Sequence, residues 1–296
     1  MAKPAALVVL AAGQGTRMRS ALPKVLHEVC GRSLVGHLLA AAAVLDAAET
    51  VVVVGHGRDA VTAEVAAQAP DARCVVQEQQ LGTGNAVRRA LDELPHLRGT
   101  VVVVPGDVPL LTGATLQHLA DAHEASGAAA TMLSARLADP MGYGRVLRNE
   151  AGGVLGIVEQ RDASPEQLKI DEVGVSIYAF DADSLRDALA RLTTDNAQGE
   201  EYLTDVIGIL AADGRSVQAL LTADPAEVGG VNDRAQLADA GDALRDRTIR
   251  AWQVSGVTIV DRASTWIDVT VTLEPDSVVR PCTLLRGTTR ISAGAV

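Results

Sequence analysis

Two glycines and two cations near the N-terminus are the first residues whose spacing suggests chemistry. The string Leu10-Ala11-Ala12-Gly13-Gln14-Gly15-Thr16-Arg17-Met18 is followed by Pro23-Lys24. Glycines let backbone N–H groups approach anionic oxygens, and Arg17 and Lys24 balance the charge, so the string reads as a polyphosphate cradle. It is not the dinucleotide fingerprint, because Met18 stands where the third glycine would be, and no Gly-Lys-Ser/Thr makes it a Walker loop. Asp107, in Pro105-Gly106-Asp107-Val108-Pro109-Leu110, is the second candidate. It follows the valine run Val101–Val104, so its carboxylate emerges at the end of a buried strand. A hard oxygen ligand there suits Mg²⁺, which takes few protein ligands and keeps waters. The six histidines and three cysteines are scattered and form no nucleophile–base set and no zinc pattern. The chemistry therefore reads as charge stabilisation around phosphate rather than covalent catalysis.

The elements that must position these groups follow from periodicity. Strand-like runs at Ala5–Leu10, Thr50–Val54, Arg73–Val76, Thr100–Val104 and Ala129–Ser134 alternate with helix-like runs at Leu34–Ala48, Arg58–Gln68, Gly84–Glu93 and Gly113–Ser126. Near-continuous Val-rich strands separated by helices predict a parallel sheet covered on both faces. Ligands then bind at the carboxyl ends of the strands, where the Gly-rich loop, Gln77 and Asp107 fall. From Pro140 to Phe180 the pattern turns to short strands: Gly144–Leu147, Val154–Glu159 and Val173–Phe180. Helices at Asp183–Leu192 and Glu201–Asp213, and a strand at Ser216–Leu221, precede a long helix over Asp233–Trp252 that Asn232 or Asp233 can cap.

Beyond that helix, Ile267, Leu273, Val279, Leu285 and Ile291 recur every six residues. Small or β-branched residues (Val271, Ser277, Thr283, Thr289, Ala295) stand four positions after each. This is a hexapeptide repeat, the pattern of a β-helix.

Composition narrows the class. The 296 residues are 48% hydrophobic but only 2% aromatic, so Val, Ala and Leu must build the core. A net charge of −11 argues against a nucleic-acid partner, so any phosphate must be held by local cations and metal. The apolar run Leu34–Leu45 is too short to span a bilayer. The run after Lys3 reads as a strand rather than a signal peptide, because the charged loop follows at once. Unpaired cysteines fit a reducing, cytoplasmic setting.

Further strings stand in order along the chain: Gln77-Glu78-Gln79-Gln80-Leu81-Gly82-Thr83-Gly84, Gly142-Tyr143-Gly144-Arg145, Ile157-Val158-Glu159-Gln160, Asn196-Ala197-Gln198-Gly199-Glu200-Glu201-Tyr202-Leu203-Thr204-Asp205 and Gly230-Val231-Asn232-Asp233-Arg234. With the opening loop, they closely resemble the bacterial bifunctional N-acetylglucosamine-1-phosphate uridyltransferase/glucosamine-1-phosphate acetyltransferases. The resemblance implies an α/β, Rossmann-like nucleotidyltransferase domain with a mostly parallel sheet (1–232), a connector helix (233–252) and the start of a left-handed β-helix (253–296). It implies Mg²⁺-dependent transfer of UMP from UTP to N-acetylglucosamine 1-phosphate, with release of pyrophosphate. By the same resemblance, Arg17 and Lys24 are the catalytic cations along the triphosphate. Leu10, Ala11, Ala12, Gly13, Gly15, Gln77, Gly82 and Thr83 hold the nucleotide. Gly106, Gly144, Glu159, Gly174 and Asn232 line the sugar, and Asn232 joins Asp107 on the metal. The acetyltransferase residues would lie on coils beyond Val296. The expectation is therefore a chain without acetyl transfer, monomeric or weakly oligomeric where the family is trimeric.

One segment departs from the family. Where relatives carry Asn-(Thr/Ser/Ala)-Gly, this chain has Gly174-Val175-Ser176. Loss of one neutral hydrogen bond from the asparagine costs roughly 0.5–1.5 kcal/mol. If Ser176 needs a backbone angle suited to glycine, strain adds about 1 kcal/mol. A loosened or altered sugar preference is therefore expected. Two alternatives remain beside the uridylyl reading: a nucleotidylyltransferase for another sugar or base, and a non-catalytic nucleotide-sugar binder.

Overall fold

The computed structural model describes residues 1–296. Strand β1 (Ala6–Ala11) leads through the Gly-rich loop to a hairpin, β2 (Glu28–Val29) and β3 (Arg32–Ser33). Then come α1 (Leu34–Ala42), β4 (Glu49–Val54), α2 (Arg58–Gln68), β5 (Arg73–Val76), α3 (Thr83–Asp92), β6 (Thr100–Pro105), α4 (Gly113–Ser126) and β7 (Ala130–Arg136). The later part holds β8 (Gly144–Arg148), β9 (Val154–Val158), β10 (Glu172–Asp181), α5 (Ala182–Leu189), α6 (Thr204–Ala212), β11 (Val217–Leu221) and the long α7 (Arg234–Val254).

The main sheet runs β11-β7-β10-β6-β1-β4-β5, with β8 and β9 attached at the end of β10. Val51–Val54 and Val101–Val104 are fully buried, as continuous apolar strands covered on both faces must be. The side-chain period of two splits them. Val8, Val51, Val53, Val101 and Val103 enter the core on one face, and Val9, Val52, Val54, Val102 and Val104 the core on the other. After β1 the chain lays down β4 and β5 on one side, then returns to place β6 on the other. The carboxyl ends of β1 and β6 therefore flank a topological switch point, where a ligand crevice opens.

Two sequence expectations are corrected. The sheet is mixed: β10 runs antiparallel between β6 and β7, so β7 lies one strand farther out than an all-parallel order places it. The ten-residue β10 is long enough to pair with β6 through its C-terminal half and with β8 near its start. The helix expected over Leu34–Ala48 stops at Ala42. A 3-10 turn follows, and Asp46 at φ 44° ends it in the left-handed region.

α7 packs on the β2–β3 hairpin through Ala240 and Leu244, which meet Val29, Leu34 and Leu110. Beyond it, six two-residue strands follow: β12 (Thr258–Ile259), β13 (Trp266–Ile267), β14 (Thr272–Leu273), β15 (Val278–Val279), β16 (Leu284–Leu285) and β17 (Arg290–Ile291). They pair parallel as β12-β15, β13-β16 and β14-β17. The repeat residues Ile267, Leu273 and Val279 point into a small core with Ile249, so the six-residue period is the inward face of a coil. The hairpin turn ties this coil to the main body. The Cys30 carbonyl accepts from Val269 N–H at 3.0 Å, and Gly31, at φ 76°, passes so close to Asp268 that a Cβ would lie 2.3 Å from its carboxyl carbon.

Candidate active site

The loop after β1 brings the predicted cations back over the sheet edge. Gly15 takes φ 59°, and a Cβ there would stand 2.6 Å from that of Lys24, so glycine is what lets the loop fold onto the lysine stem. Gly13 is exposed, with nothing within 4 Å of where a side chain would begin, which leaves its backbone open to a ligand. Arg17 sits in the 3-10 turn Thr16–Met18, and Lys24 opens the next one, Lys24–Leu26, after Pro23.

Asp107 follows β6, as its strand predicts. The preceding Gly106 is buried and donates its N–H to the Leu10 carbonyl at 2.8 Å, which locks the ends of β1 and β6 together. Lys24 Nζ donates to Asp107 Oδ2 and, at 3.2 Å, to Asn232 Oδ1. Arg17 Nη2 reaches the same Asn232 oxygen at 2.9 Å. Asn232 is free to do this because Asp233, not Asn232, caps α7, accepting from Gln236 N–H at 2.9 Å. Asn232 is held by its own backbone instead. Its N–H donates to Gln236 Oε1 at 2.8 Å, and its side-chain amide donates to the Gly230 carbonyl at 3.1 Å. Asp107 and Asn232 thus present two hard oxygens to one cationic atom, a donor set that suits Mg²⁺ with water and phosphate completing the shell. No cluster of three or more His, Cys, Asp or Glu forms anywhere in the chain, so a metal would rest on this pair.

The nucleotide-side residues gather on the other flank of the loop. Leu10 stands half-buried at the end of β1, and Ala11 and Ala12 are buried. The Ala12 carbonyl accepts from His56 N–H and from Gln80 Nε2, at 3.2 and 2.9 Å. Gln77 is buried after β5, and both its amide protons are engaged, by the Gly82 carbonyl and Asn85 Oδ1, each at 3.0 Å. A carbonyl can only accept, so the Gln77 amide is fixed with its oxygen as the unused polar atom. Gly82 takes φ 110°, and a Cβ would lie 2.5 Å from the Glu201 carbonyl oxygen. Thr83 Oγ1 accepts from Leu203 N–H at 3.0 Å.

Two adjoining cavities run from the cations across the switch point. One of about 230 Å³ extends from Arg17, Asp107 and Asn232 to Tyr143, Gly144, Glu159, Gly174 and Ser176. The other, about 200 Å³, extends from Leu10 and Thr83 to Glu159, Ser176, Tyr178 and Tyr202. Glu159 and Ser176 belong to both walls. Burial pushes the Glu159 carboxyl above the usual carboxylate range, opposed by a 2.9 Å hydrogen bond from Thr204 Oγ1. A larger groove at the amino end of the sheet, around His123 and Arg215, gathers none of these groups, and one beside α2 takes in only Gln77 of them.

All the sequence-predicted residues therefore lie along one sheet edge. Sequence reasoning placed Ser176 at the sugar site but missed Tyr143, Gln236, Thr204 and Tyr178 as wall residues. The Gly142-Tyr143-Gly144 string marked Tyr143, but nothing local marks Gln236, which acts across one turn of α7. The feared strain at Ser176 is present: its φ is 59°. It lies where the β10–β7 register shifts between Gly174 and Tyr178.

Comparison with known proteins matches residues 7–199 to the MobA-like NTP transferase domain. The chain is similar to the "Bifunctional protein GlmU" of Streptomyces coelicolor, 55% identical over 294 residues, and to that of Streptomyces avermitilis, 54% over 295. It is 53% identical over 297 residues to that of Thermobifida fusca. Each alignment covers 99% of this chain and 61% of the relative, so the chain spans about three-fifths of the length of these relatives.

Proposed function

The chain belongs to the MobA-like NTP transferase domain family, and we propose that it transfers UMP from UTP to N-acetylglucosamine 1-phosphate, giving UDP-N-acetylglucosamine and pyrophosphate. The observation that carries this reading is the convergence of Arg17 and Lys24 on Asp107 and Asn232 at the switch point. Two cations and two oxygen ligands meeting on one edge suit a triphosphate with its metal. The residue set resembles that of the uridyltransferases motif by motif.

In this reading an oxygen of the sugar phosphate attacks the α-phosphorus in line, and the bond to the bridging oxygen of pyrophosphate breaks. Such a transfer needs positioning and charge stabilisation more than covalent work by the protein. Arg17 and Lys24 hold the charge that moves onto pyrophosphate. Asp107 and Asn232 would hold Mg²⁺, which would supply charge neutralisation to the phosphates. For those oxygens to be free, Lys24 would release both and Arg17 would release Asn232, the two cations turning to the triphosphate. The Gln77 side-chain oxygen accepts from the pyrimidine N3–H, the role its fixed amide leaves it. Gly144, Gly174 and Glu159 face the sugar, with Glu159 as acceptor for a hydroxyl.

The division into a nucleotidyltransferase domain (1–232), a connector (233–252) and the opening of a left-handed β-helix (253–296) belongs to the same reading. The stacked parallel pairs at an offset of 18 residues, Trp266 on Leu284 and Thr272 on Arg290, support the coil. A panel of nucleoside triphosphates against sugar 1-phosphates, scored for pyrophosphate, tests the function. UTP with N-acetylglucosamine 1-phosphate is expected to give the highest kcat/KM, and no release of pyrophosphate from any pair would refute it. A different acceptor sugar is the second reading, favoured by the Gly174-Val175-Ser176 segment alone.

A further inference from the structure

Tyr178 Oη is the one buried hydroxyl in the chain that makes no well-formed hydrogen bond, the Ser176 side chain being the one polar side-chain group that reaches it, and it belongs to a residue only 1% exposed. Native structures rarely leave such a group orphaned, because it has lost water without regaining a partner. Tyr178 forms part of the cavity wall it shares with Ser176 and Glu159. Its ring stacks on Phe180, with centroids 5.3 Å apart. Ser176 is the neighbouring anomaly. It is a non-glycine residue at φ 59°, in a strand irregularity that turns its side chain into both cavities. Irregularities of this kind re-aim side chains beside active sites, and left-handed strain at a non-glycine residue clusters at ligand sites. At Gly174, one pleat earlier, no side chain can stand in easily. A Cβ there would meet Ile157 Cδ1 at 3.0 Å and Met132 Cε at 3.4 Å.

Resting on the transferase reading above, we propose that the hydroxyls of Ser176 and Tyr178 together bind an oxygen of the acceptor sugar 1-phosphate, and that this pair sets acceptor specificity in this chain. A sugar oxygen entering between them gives the Tyr178 hydroxyl the well-formed hydrogen bond that Ser176 alone does not supply. It also gives the left-handed Ser176 a use for its side chain that glycine could not serve. The polar contact with the sugar is thereby moved from position 174 to positions 176 and 178.

The test is steady-state kinetics of pyrophosphate release by Tyr178→Phe, Ser176→Ala and Ser176→Gly, with KM measured separately for UTP and for the acceptor. Loss of either hydroxyl is expected to raise the acceptor KM about threefold to tenfold and to leave the UTP KM unchanged. Ser176→Gly is also expected to melt at a higher temperature than Ser176→Ala, since it alone relieves the φ, so weaker acceptor binding would accompany greater stability. A merely structural role would move melting temperature without splitting the two KM values. An unchanged acceptor KM in Tyr178→Phe, or equal shifts in both KM values, would overturn the proposal. Failure of the transferase reading shows separately, as absence of pyrophosphate release by the unaltered chain.

Discussion

Lys24→Met is the most informative single change, because the lysine has two roles that the substitution separates. Without ligand its ammonium bridges Asp107 and Asn232, and the pair is mostly shielded, with side chains 16% and 14% exposed. An exposed pair is worth about 0–1 kcal/mol and a broken buried one costs about 3–5. At this exposure, with Arg17 still on Asn232, the loss is expected to be about 1–2 kcal/mol. In a chain of this size that lowers the melting temperature by roughly 2–3 °C.

The same substitution vacates the Asp107 oxygen, the harder of the two that suit Mg²⁺, and leaves only Arg17 on Asn232. Excess Mg²⁺ is therefore expected to stabilise Lys24→Met, without nucleotide, more than it stabilises the wild-type chain. At tenfold saturation this recovers about 1.4 kcal/mol. Catalysis is not recovered, because the cation facing the leaving pyrophosphate is gone. Removing one such stabilising group costs about 10²–10³ in kcat. Thermal melts with and without Mg²⁺, beside pyrophosphate release under saturating UTP, read both effects. A variant within tenfold of wild-type kcat would refute the catalytic role. Equal Mg²⁺ stabilisation of the two chains would refute the shared site.

Three further outcomes follow from residues in and around the site. Burial raises the Glu159 carboxyl, so the folded chain holds that proton at pH values where the unfolded chain has released it. Stability from this group is then lost as pH rises from the unfolded value, about 4.3, through the folded one. Glu159→Gln should consequently be more stable than wild type at pH 7 and lose that advantage below about pH 4 in pH-dependent melts, while its acceptor KM rises about fivefold. Gly82→Ala puts a methyl 2.5 Å from the Glu201 carbonyl oxygen at φ 110°. It should raise the UTP KM at least tenfold and cost about 2 kcal/mol or more in chemical denaturation, and a wild-type UTP KM would contradict the nucleotide-side assignment. Arg145 is 2% exposed, and its guanidinium donates to the Tyr143 carbonyl and to Gln160 Oε1 without a carboxylate partner. Arg145→Met should loosen the loops carrying Tyr143 and Glu159 and raise the acceptor KM while sparing that for UTP.

Most of the scaffold was legible in the sequence because its determinants are local. Val51–Val54 and Val101–Val104 are continuous apolar runs, and a two-sided sheet is the one place such runs fit. Asp107 could be placed at the ligand edge from its position after a strand alone. The antiparallel β10 was not legible in this way, because a buried strand carries the same apolar signature in either direction and only pairing decides its sense. The Asn232/Asp233 ambiguity at the α7 cap had a similar origin. Both residue types cap well, and the choice of Asp233 leaves the Asn232 side chain off the helix end while its N–H donates to Gln236 Oε1, four residues on.

The site's resting arrangement follows from the electrostatics of an acidic chain. With a net charge of −11, an unpaired Asp107 beside the carbonyl-rich ends of β1 and β6 would be costly, and the nearest mobile cation is Lys24. The lysine that in the proposed reading serves the triphosphate is therefore also the counter-ion of the proposed metal ligands. Its long stem, passing over the Cβ-less Gly15, can move between the two tasks. A shorter cation could not reach both, and a guanidinium would bind the carboxylate in a fork that is harder to release. This gives Lys24→Arg a distinct expectation from Lys24→Met. It should keep the stability of the ligand-free chain, or raise it, yet need more Mg²⁺ for half-maximal pyrophosphate release, because the stronger ion pair competes with the metal for Asp107. An arginine variant with wild-type Mg²⁺ dependence would mean that Lys24 and the metal do not share these oxygens.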